Sequence, residues 1–172
     1  MIIRSAVPAD FPAIGQLTVA AYQADGQLDG DHGYEHELAD VARRAEAGEV
    51  LVATDEQGLI LGAVTLVRAG SAYAEMARDG ELELRMLAVE PRSAGRGVGT
   101  ALVQAGIERA RALDSEAIVI RVRDFADRAR RMYDRLGFVR TPDLDWTPYP
   151  KVRLLAMRLS VRSLRSRESA AS

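Results

Sequence analysis

Residues 90–102 read EPRSAGRGVGTAL, with glycines at 95, 97 and 99 and arginines at 92 and 96, between an apolar strand-like run and an apolar helix-like run. Glycine lets the backbone turn tightly and approach a ligand closely. A strand that feeds a helix through such a loop points backbone N–H groups at whatever lies before the helix, which is how proteins hold phosphate. The spacing decides between the known loops of this kind. A dinucleotide fingerprint needs G-x-G-x-x-G, and counted from Gly95 its third glycine position is Thr100. A nucleoside-triphosphate loop needs G-K-S/T, and the only lysine in the chain is Lys151. What remains is L-x-V-x-P, then G-R-G-V-G-T-A-L, then a helix. Gly97 and Gly99 admit an anion, and Arg96 with Arg92 adds charge-assisted contacts. A tight turn with no ligand is the alternative at this point.

The rest of the chain supplies the elements around that loop. Ile2–Arg4 reads as a strand. Asp10 and Pro12 open a helix with Ile14, Leu17 and Ala21 on one face. Residues 24–33 form a loop rich in Gly and Asp. Tyr34, Leu38, Val41 and Ala45 recur at helical spacing up to Gly48. VLVATDEQGLILGAVTLV reads as two strands about a turn at Asp55–Gly58, and a loop follows over 70–80. In ELELRMLAV, 81–89, Leu82, Leu84 and Met86 alternate with Glu81, Glu83 and Arg85. A helix runs from about Gly97 to Leu113, a strand over 117–123 and a helix over 126–136 ending at Gly137. Phe138–Thr141 and Val152–Leu159 read as closing strands about the loop PDLDWTPYP. The mixture implies an α/β (α+β) single sheet. One domain over 1–160 and a polar, disordered tail over 161–172 are expected.

Composition narrows the function. With 172 residues, 48% hydrophobic and 28% charged, this reads as a globular protein with a sizeable core. There is no cysteine, which removes thiol catalysis and thiolate metal sites. No apolar run approaches the roughly 20 residues that span a bilayer, and no secretory signal is evident. No membrane partner and a cytoplasmic location are therefore expected. Residues 1–60 carry 3 Arg and 11 Asp/Glu, a charge of −8, while residues 61–172 carry +6. The arginines at 121–135 are interspersed with Asp124, Asp127 and Asp134 and have no interleaved aromatics, so no nucleic-acid partner is expected.

LAVEPRSAGRGVGTALV resembles motif A of the GNAT superfamily of acyl-CoA-dependent N-acetyltransferases, a strand with L-x-V-x-P, then Q/R-x-x-G-x-G/A, then a helix. ARRMYDRLGF, 129–138, resembles that family's A-x-x-x-Y-x-x-x-G-F element. IIRSAVPADFPAIGQL and RTPDLDWTPYPKVRLLAMRL resemble its opening strand and helix and its closing strand pair. The resemblance covers residues 2–160 in order. It implies a mixed, mostly antiparallel twisted sheet of about seven strands with helices on both faces. It also implies acetyl-CoA as cosubstrate, no metal, an amine acceptor, and leaves a homodimer open. Two positions depart from the pattern: Ala94 replaces the Gln/Arg that opens motif A, and Ala126 replaces an Asn often found seven residues before the Tyr.

The same resemblance distributes roles. Ala94, Gly95, Arg96, Gly97, Val98, Gly99 and Thr100 would cradle the pyrophosphate. Backbone groups at Leu87, Ala88 and Val89 would bind the pantetheine arm, in a gap where two strands splay, and polarise the thioester. Tyr133 would protonate the departing thiolate, a phenol with pKa near 10 suiting that task. Glu83 would take the amine's proton through water or hold the ammonium, with Glu81 as fallback; the structural alternative pairs Glu83 with Arg85 or Arg121. On the acceptor side, Tyr22, Asp29, Asp31, Tyr34 and Trp146 would line the site, and the acidic loop with Asp25 favours a small cationic amine. Two rivals remain at this stage. One is a non-catalytic acyl-CoA-binding regulatory module. The other is a zinc hydrolase, because HGYEH gives His32-x-x-Glu35-His36, although Gly33 suits a metal-binding helix poorly.

Overall fold

The computed structural model describes residues 1–29 and 33–162. Asp31 and His32, and the tail from residue 163, lie outside the described residues. The elements in chain order are β1 (Ile2–Ser5), α1 (Phe11–Ala24), α2 (Tyr34–Ala39), α3 (Val41–Ala47), β2 (Glu49–Thr54), β3 (Ile60–Arg68), β4 (Glu81–Val89), α4 (Val98–Ala112), β5 (Ala117–Arg123), α5 (Asp127–Arg135), β6 (Val139–Arg140), β7 (Trp146–Tyr149) and β8 (Val152–Ser160). The strands hydrogen-bond in the order β1-β2-β3-β4-β5-β8-β6, with β7 on β8, making an eight-stranded, mostly antiparallel sheet.

The chain divides into two compact units. The first comprises Met1–Val67, Ser71–Tyr73 and Leu84–Ala105. Here β1 pairs antiparallel with β2, and β2 with β3. Ile14, Leu17 and Ala21 of α1 meet Val41 of α3, Val50 and Val52 of β2, Ile60 and Ala63 of β3, and Ala88 of β4 in one core cluster. Burying each large aliphatic side chain there is worth about 1.5–3 kcal/mol. The predicted helix over 34–47 is two helices. Asp40 (φ −81°, ψ 74°) leaves the helical region and its carboxylate caps the Arg43 N–H, so helical spacing runs through a break. Asp10 also differs from expectation. Its carboxylate accepts from the Val7 N–H and from Arg4, holding a 3-10 turn ahead of α1 instead of capping α1 itself.

The second unit comprises Arg68–Gly70, Ala74–Glu83 and the chain from Gly106 onward. The Glu81–Glu83 end of β4 pairs parallel with Ala117–Val119 of β5. β5 lies antiparallel to β8 along its whole length, and β6 and β7 both pair with β8. Met76, Val119 and Ala156 form a small core, covered by Ala77 and Leu144. The loop PDLDWTPYP contains β7, a strand the sequence did not reveal. Its pairing slips between Trp146 and Tyr149, where Pro148 has no N–H to give. No helix among the described residues is long and apolar enough to cross a membrane.

Candidate functional site

The glycine loop lies in the first unit, and local hydrogen bonds set its shape. The Glu90 N–H bonds to the Leu61 carbonyl at 2.8 Å, fixing where β4 ends. Pro91–Ser93 makes a 3-10 turn, followed by an extended Ala94. Gly95 (φ 85°) and Gly97 (φ 82°) then take left-handed conformations that disfavour any side chain. A Cβ at Gly97 would meet nothing within 4 Å, so the glycine is there for backbone direction and leaves open space above the loop. Buried Ser93 and Val98 anchor the loop at either side, while residues 94–97 are exposed.

Helix α4 begins directly behind that space. The Ala101 N–H is bonded to the Gly97 carbonyl at 2.9 Å. The amides of Val98, Gly99 and Thr100 come earlier, in the first turn, where helix geometry provides no carbonyl partner. Those N–H groups, the positive end of the helix dipole and Arg96 suit a dianionic ligand. The start of α4 is seated by a residue the sequence reading passed over. A Cβ on Gly62 of β3 would fall 2.8 Å from the Ala88 carbonyl oxygen and 2.9 Å from Val98 Cγ1. Only glycine there lets α4 approach the strands so closely. On β4, Met86 has φ 52° and breaks the regular pleat immediately before Leu87, Ala88 and Val89. For a non-glycine residue that conformation costs about 1–3 kcal/mol, and such strain gathers at functional sites.

In the second unit, Tyr133 lies on α5 and is 2% exposed. Its helix ends in a Schellman motif, with the Phe138 N–H on the Tyr133 carbonyl, the Gly137 N–H on the Asp134 carbonyl, and Gly137 at φ 94°. The contact between the residues flanking that motif is the Tyr133–Phe138 ring pair, edge to face at 5.3 Å. The Tyr-x-x-x-Gly-Phe spacing is thus the geometry of one helix end, and it fixes the tyrosine ring. Among the described residues nothing hydrogen-bonds the Tyr133 hydroxyl, and burial pushes the phenol well above its ordinary range. Ala126 occupies the N-cap of α5 and offers no side-chain cap.

Glu83, in the same unit, is not the surface carboxylate paired with Arg85 or Arg121 that the structural alternative expected. The alternation placed it on a polar face, yet it is 1% exposed. Its Oε2 accepts from the backbone N–H groups of Glu75, Met76 and Ala77, each at 3.0 Å, and Oε1 receives a longer 3.3 Å contact from Glu75. The expected arginine partners are elsewhere. Arg121 donates to the carbonyls of Leu144 and Glu75, and Arg85 donates to the Tyr73 carbonyl and the Tyr34 hydroxyl. Glu81, the fallback, is paired with Arg158 at 2.9 Å and accepts from the Arg78 N–H.

Of the residues expected around the acceptor, Tyr22 and Tyr34 stand together in the first unit, ring centroids 6.2 Å apart, and Asp29 is exposed there. Trp146, in the second unit, is 41% exposed with the Arg121 guanidinium 5.2 Å from its ring. Glu35 and His36 fall on the short helix α2, with Gly33 (φ 94°) before it. Among the described residues no group of three His, Asp or Glu side chains is arranged to hold a metal ion.

The model of the Acetyltransferase (GNAT) family matches residues 12–138. Over 108 residues, 60% of this chain, the sequence is 36% identical to mycothiol acetyltransferase of Propionibacterium freudenreichii, and it spans 32% of that relative's length. The fold resembles a crystal structure of histone acetyltransferase HPA2 and related acetyltransferase from Corynebacterium glutamicum at 29% identity and a TM-score of 0.68, covering 91% of this chain and 93% of that one. A GNAT family acetyltransferase from Brucella melitensis, in complex with acetyl-CoA, shares the fold at a TM-score of 0.63 and 24% identity, covering 92% and 86%.

Proposed function

Because the chain belongs to the GNAT family of acetyltransferases, we propose that it transfers an acetyl group from acetyl-CoA to a primary amine, a small cationic one, by direct attack. The observation that carries this reading is the loop from Ala94 to Thr100. Two left-handed glycines, open space above Gly97 and the free first turn of α4 together make a cradle for a pyrophosphate. Arg96 adds charge where Ala94 provides no polar side chain.

In this proposal the neutral amine forms a bond to the thioester carbonyl carbon, and the carbonyl π pair moves onto oxygen. Backbone N–H groups around Leu87 and Val89 stabilise that oxyanion. The oxygen pair then re-forms the carbonyl as the carbon–sulfur bond breaks with its electrons on sulfur, and Tyr133 gives its phenolic proton to the leaving thiolate. Burial holds that phenol in the protonated form an acid must start from, and it also leaves it a weaker acid than the ordinary phenol the sequence suggested. Glu83 draws the amine's proton through water at Oε1, the oxygen left with acceptor capacity. Exposed Asp25 and Asp29, together with Asp31, attract the ammonium form as it arrives.

Two measurements test the reading. Acetyl-CoA at a hundred times its Kd adds about 2.7 kcal/mol of apparent stability, roughly 5–10 °C in Tm for a chain of this size. No shift at millimolar acetyl-CoA refutes it. A panel of amines, followed by thiol release, then identifies acceptors that turn over.

A further inference from the structure

Arg44 of α3 is among the most deeply buried side chains in the protein, at 0% exposure. Its Nη2 donates to the Leu38 carbonyl at 2.8 Å and its Nη1 reaches the Thr65 hydroxyl at 3.4 Å. Its Nε has no hydrogen-bond partner. Among the described residues no carboxylate forms an ion pair with it. A buried cation without a counter-ion is costly.

The charged and phenolic groups that act on Arg44 are Tyr22, Tyr34, Tyr73 and Asp40. Asp40 is exposed and occupied in capping Arg43. Two of these tyrosines also meet Arg85 of β4, which donates to the Tyr73 carbonyl and reaches the Tyr34 hydroxyl. Arg43, Asp40 and Glu37 act on Tyr73 as well. Two guanidinium groups from different elements therefore flank one tyrosine cluster, which includes the Tyr22–Tyr34 pair expected at the acceptor site. One guanidinium is sealed inside and uncompensated, and the other is half-buried.

We infer that this cluster is an anion-recognising subsite of the acceptor site, which selects amines that also carry a carboxylate. The inference rests on the acetyl-transfer reading. Arg85, with the hydroxyl of Tyr34, touches the acceptor carboxylate in a charge-assisted contact. Arg44 acts through the tyrosines as a positioning residue, its buried charge biasing the cluster toward anions. The attacking amine and the carboxylate held by the arginine cluster are then the two ends of one acceptor, such as an amino acid or a short peptide.

The test uses matched acceptor pairs: phenylalanine, methionine and alanyl-phenylalanine, each beside its C-terminal carboxamide. The carboxylate member of at least one pair is expected to exceed its amide at least tenfold in kcat/KM. Arg85→Gln and Arg44→Met each bring that ratio toward one. Met fills the space of Arg44 without its charge, and the Arg85 variant gives a second reading should the buried substitution impair folding. A merely structural role for the two arginines would slow both members equally and leave the ratio intact, which overturns the inference. Amides acetylated as well as carboxylates by the wild-type protein overturn it too, and leave acetyl transfer standing. No transfer to any member, with no melting shift from acetyl-CoA, refutes the acetyl-transfer reading and this inference with it.

Discussion

The Oε2 atom of Glu83 lies 3.0 Å from the amide nitrogen of Met76, and the amides on either side of Met76 converge on the same oxygen. One buried carboxylate thus holds a turn of the 70–80 loop against the end of β4. Glu83→Ala would strand three N–H groups, at about 1–3 kcal/mol for each that stays buried. A Tm loss of roughly 6–12 °C is expected if about 3 kcal/mol survives relaxation. Glu83→Gln keeps an oxygen for the amides but takes no proton. It should lose little stability while kcat falls at least tenfold. Thermal melts of the ligand-free variants, set beside their turnover, separate the two contributions. An unchanged kcat in the Gln variant would assign Glu83 to the loop alone.

Asp145 provides a pH-dependent counterpart. It accepts two hydrogen bonds from Arg140, each at 2.8 Å, and one from the Ala156 N–H. The Arg140 hydrogen bonds, ahead of the backbone one, hold its carboxyl below the usual range despite partial burial. A carboxyl with a depressed folded pKa stabilises fully above its unfolded value near 3.8 and loses that contribution as pH falls through the folded value. Denaturant midpoints should therefore drop steeply below about pH 4. Asp145→Asn should flatten part of that drop and cost about 2 kcal/mol at neutral pH. Equal slopes for the two proteins would show that acid lability resides elsewhere, the Asp10–Arg4 pair being the next candidate.

What could be read in advance was whatever depends on near neighbours. The Tyr133-to-Phe138 element is a helix end closed by hydrogen bonds within six residues, so its sequence states its geometry. The hairpin of β2 and β3 was equally plain, because Asp55 folds its own turn by accepting from the N–H groups of Gln57 and Leu59. What escaped depends on distant chain. Glu83 alternates as a solvent-facing residue, and only the returning loop buries it. Arg44 reads as one more surface charge on a helix until Leu38 and Thr65 close around it. β7 carries a proline that argues against a strand, and it forms because β8 provides the partner. Asp40 sits inside an unbroken helical spacing, and its capping bond to Arg43 outweighs the period.

Gly97 allows a test of the cradle with little structural side effect. Its left-handed φ of 82° disfavours alanine by about 1–2 kcal/mol, while the open space around it rules out a clash. Gly97→Ala should lower stability by that amount at most. If residues 94–100 bind the pyrophosphate, it should raise KM for acetyl-CoA tenfold or more with a smaller change in kcat. Titration of acetyl-CoA against protein melting gives the affinity directly. A variant that binds acetyl-CoA as the wild type does would place the pyrophosphate elsewhere.

Tyr133→Phe isolates one oxygen atom. The ring keeps its edge contact with Phe138, and the lost hydroxyl has no hydrogen-bond partner among the described residues. Stability near neutral pH should therefore stay within about 1 kcal/mol of wild type. The alkaline limb differs. Burial raises the folded pKa of the phenol above its ordinary value of 10.0, so the native state keeps its proton where the unfolded chain releases it. That contribution is whole below pH 10 and declines above it, and the Phe variant should lack this part of the decline. For catalysis, removing a general acid costs about 10²–10⁴ in rate. A fall of that size in kcat, with the melting shift from acetyl-CoA unchanged, is expected. Wild-type turnover in the Phe variant would leave Tyr133 as a packing residue and pass the task of protonating the thiolate to solvent.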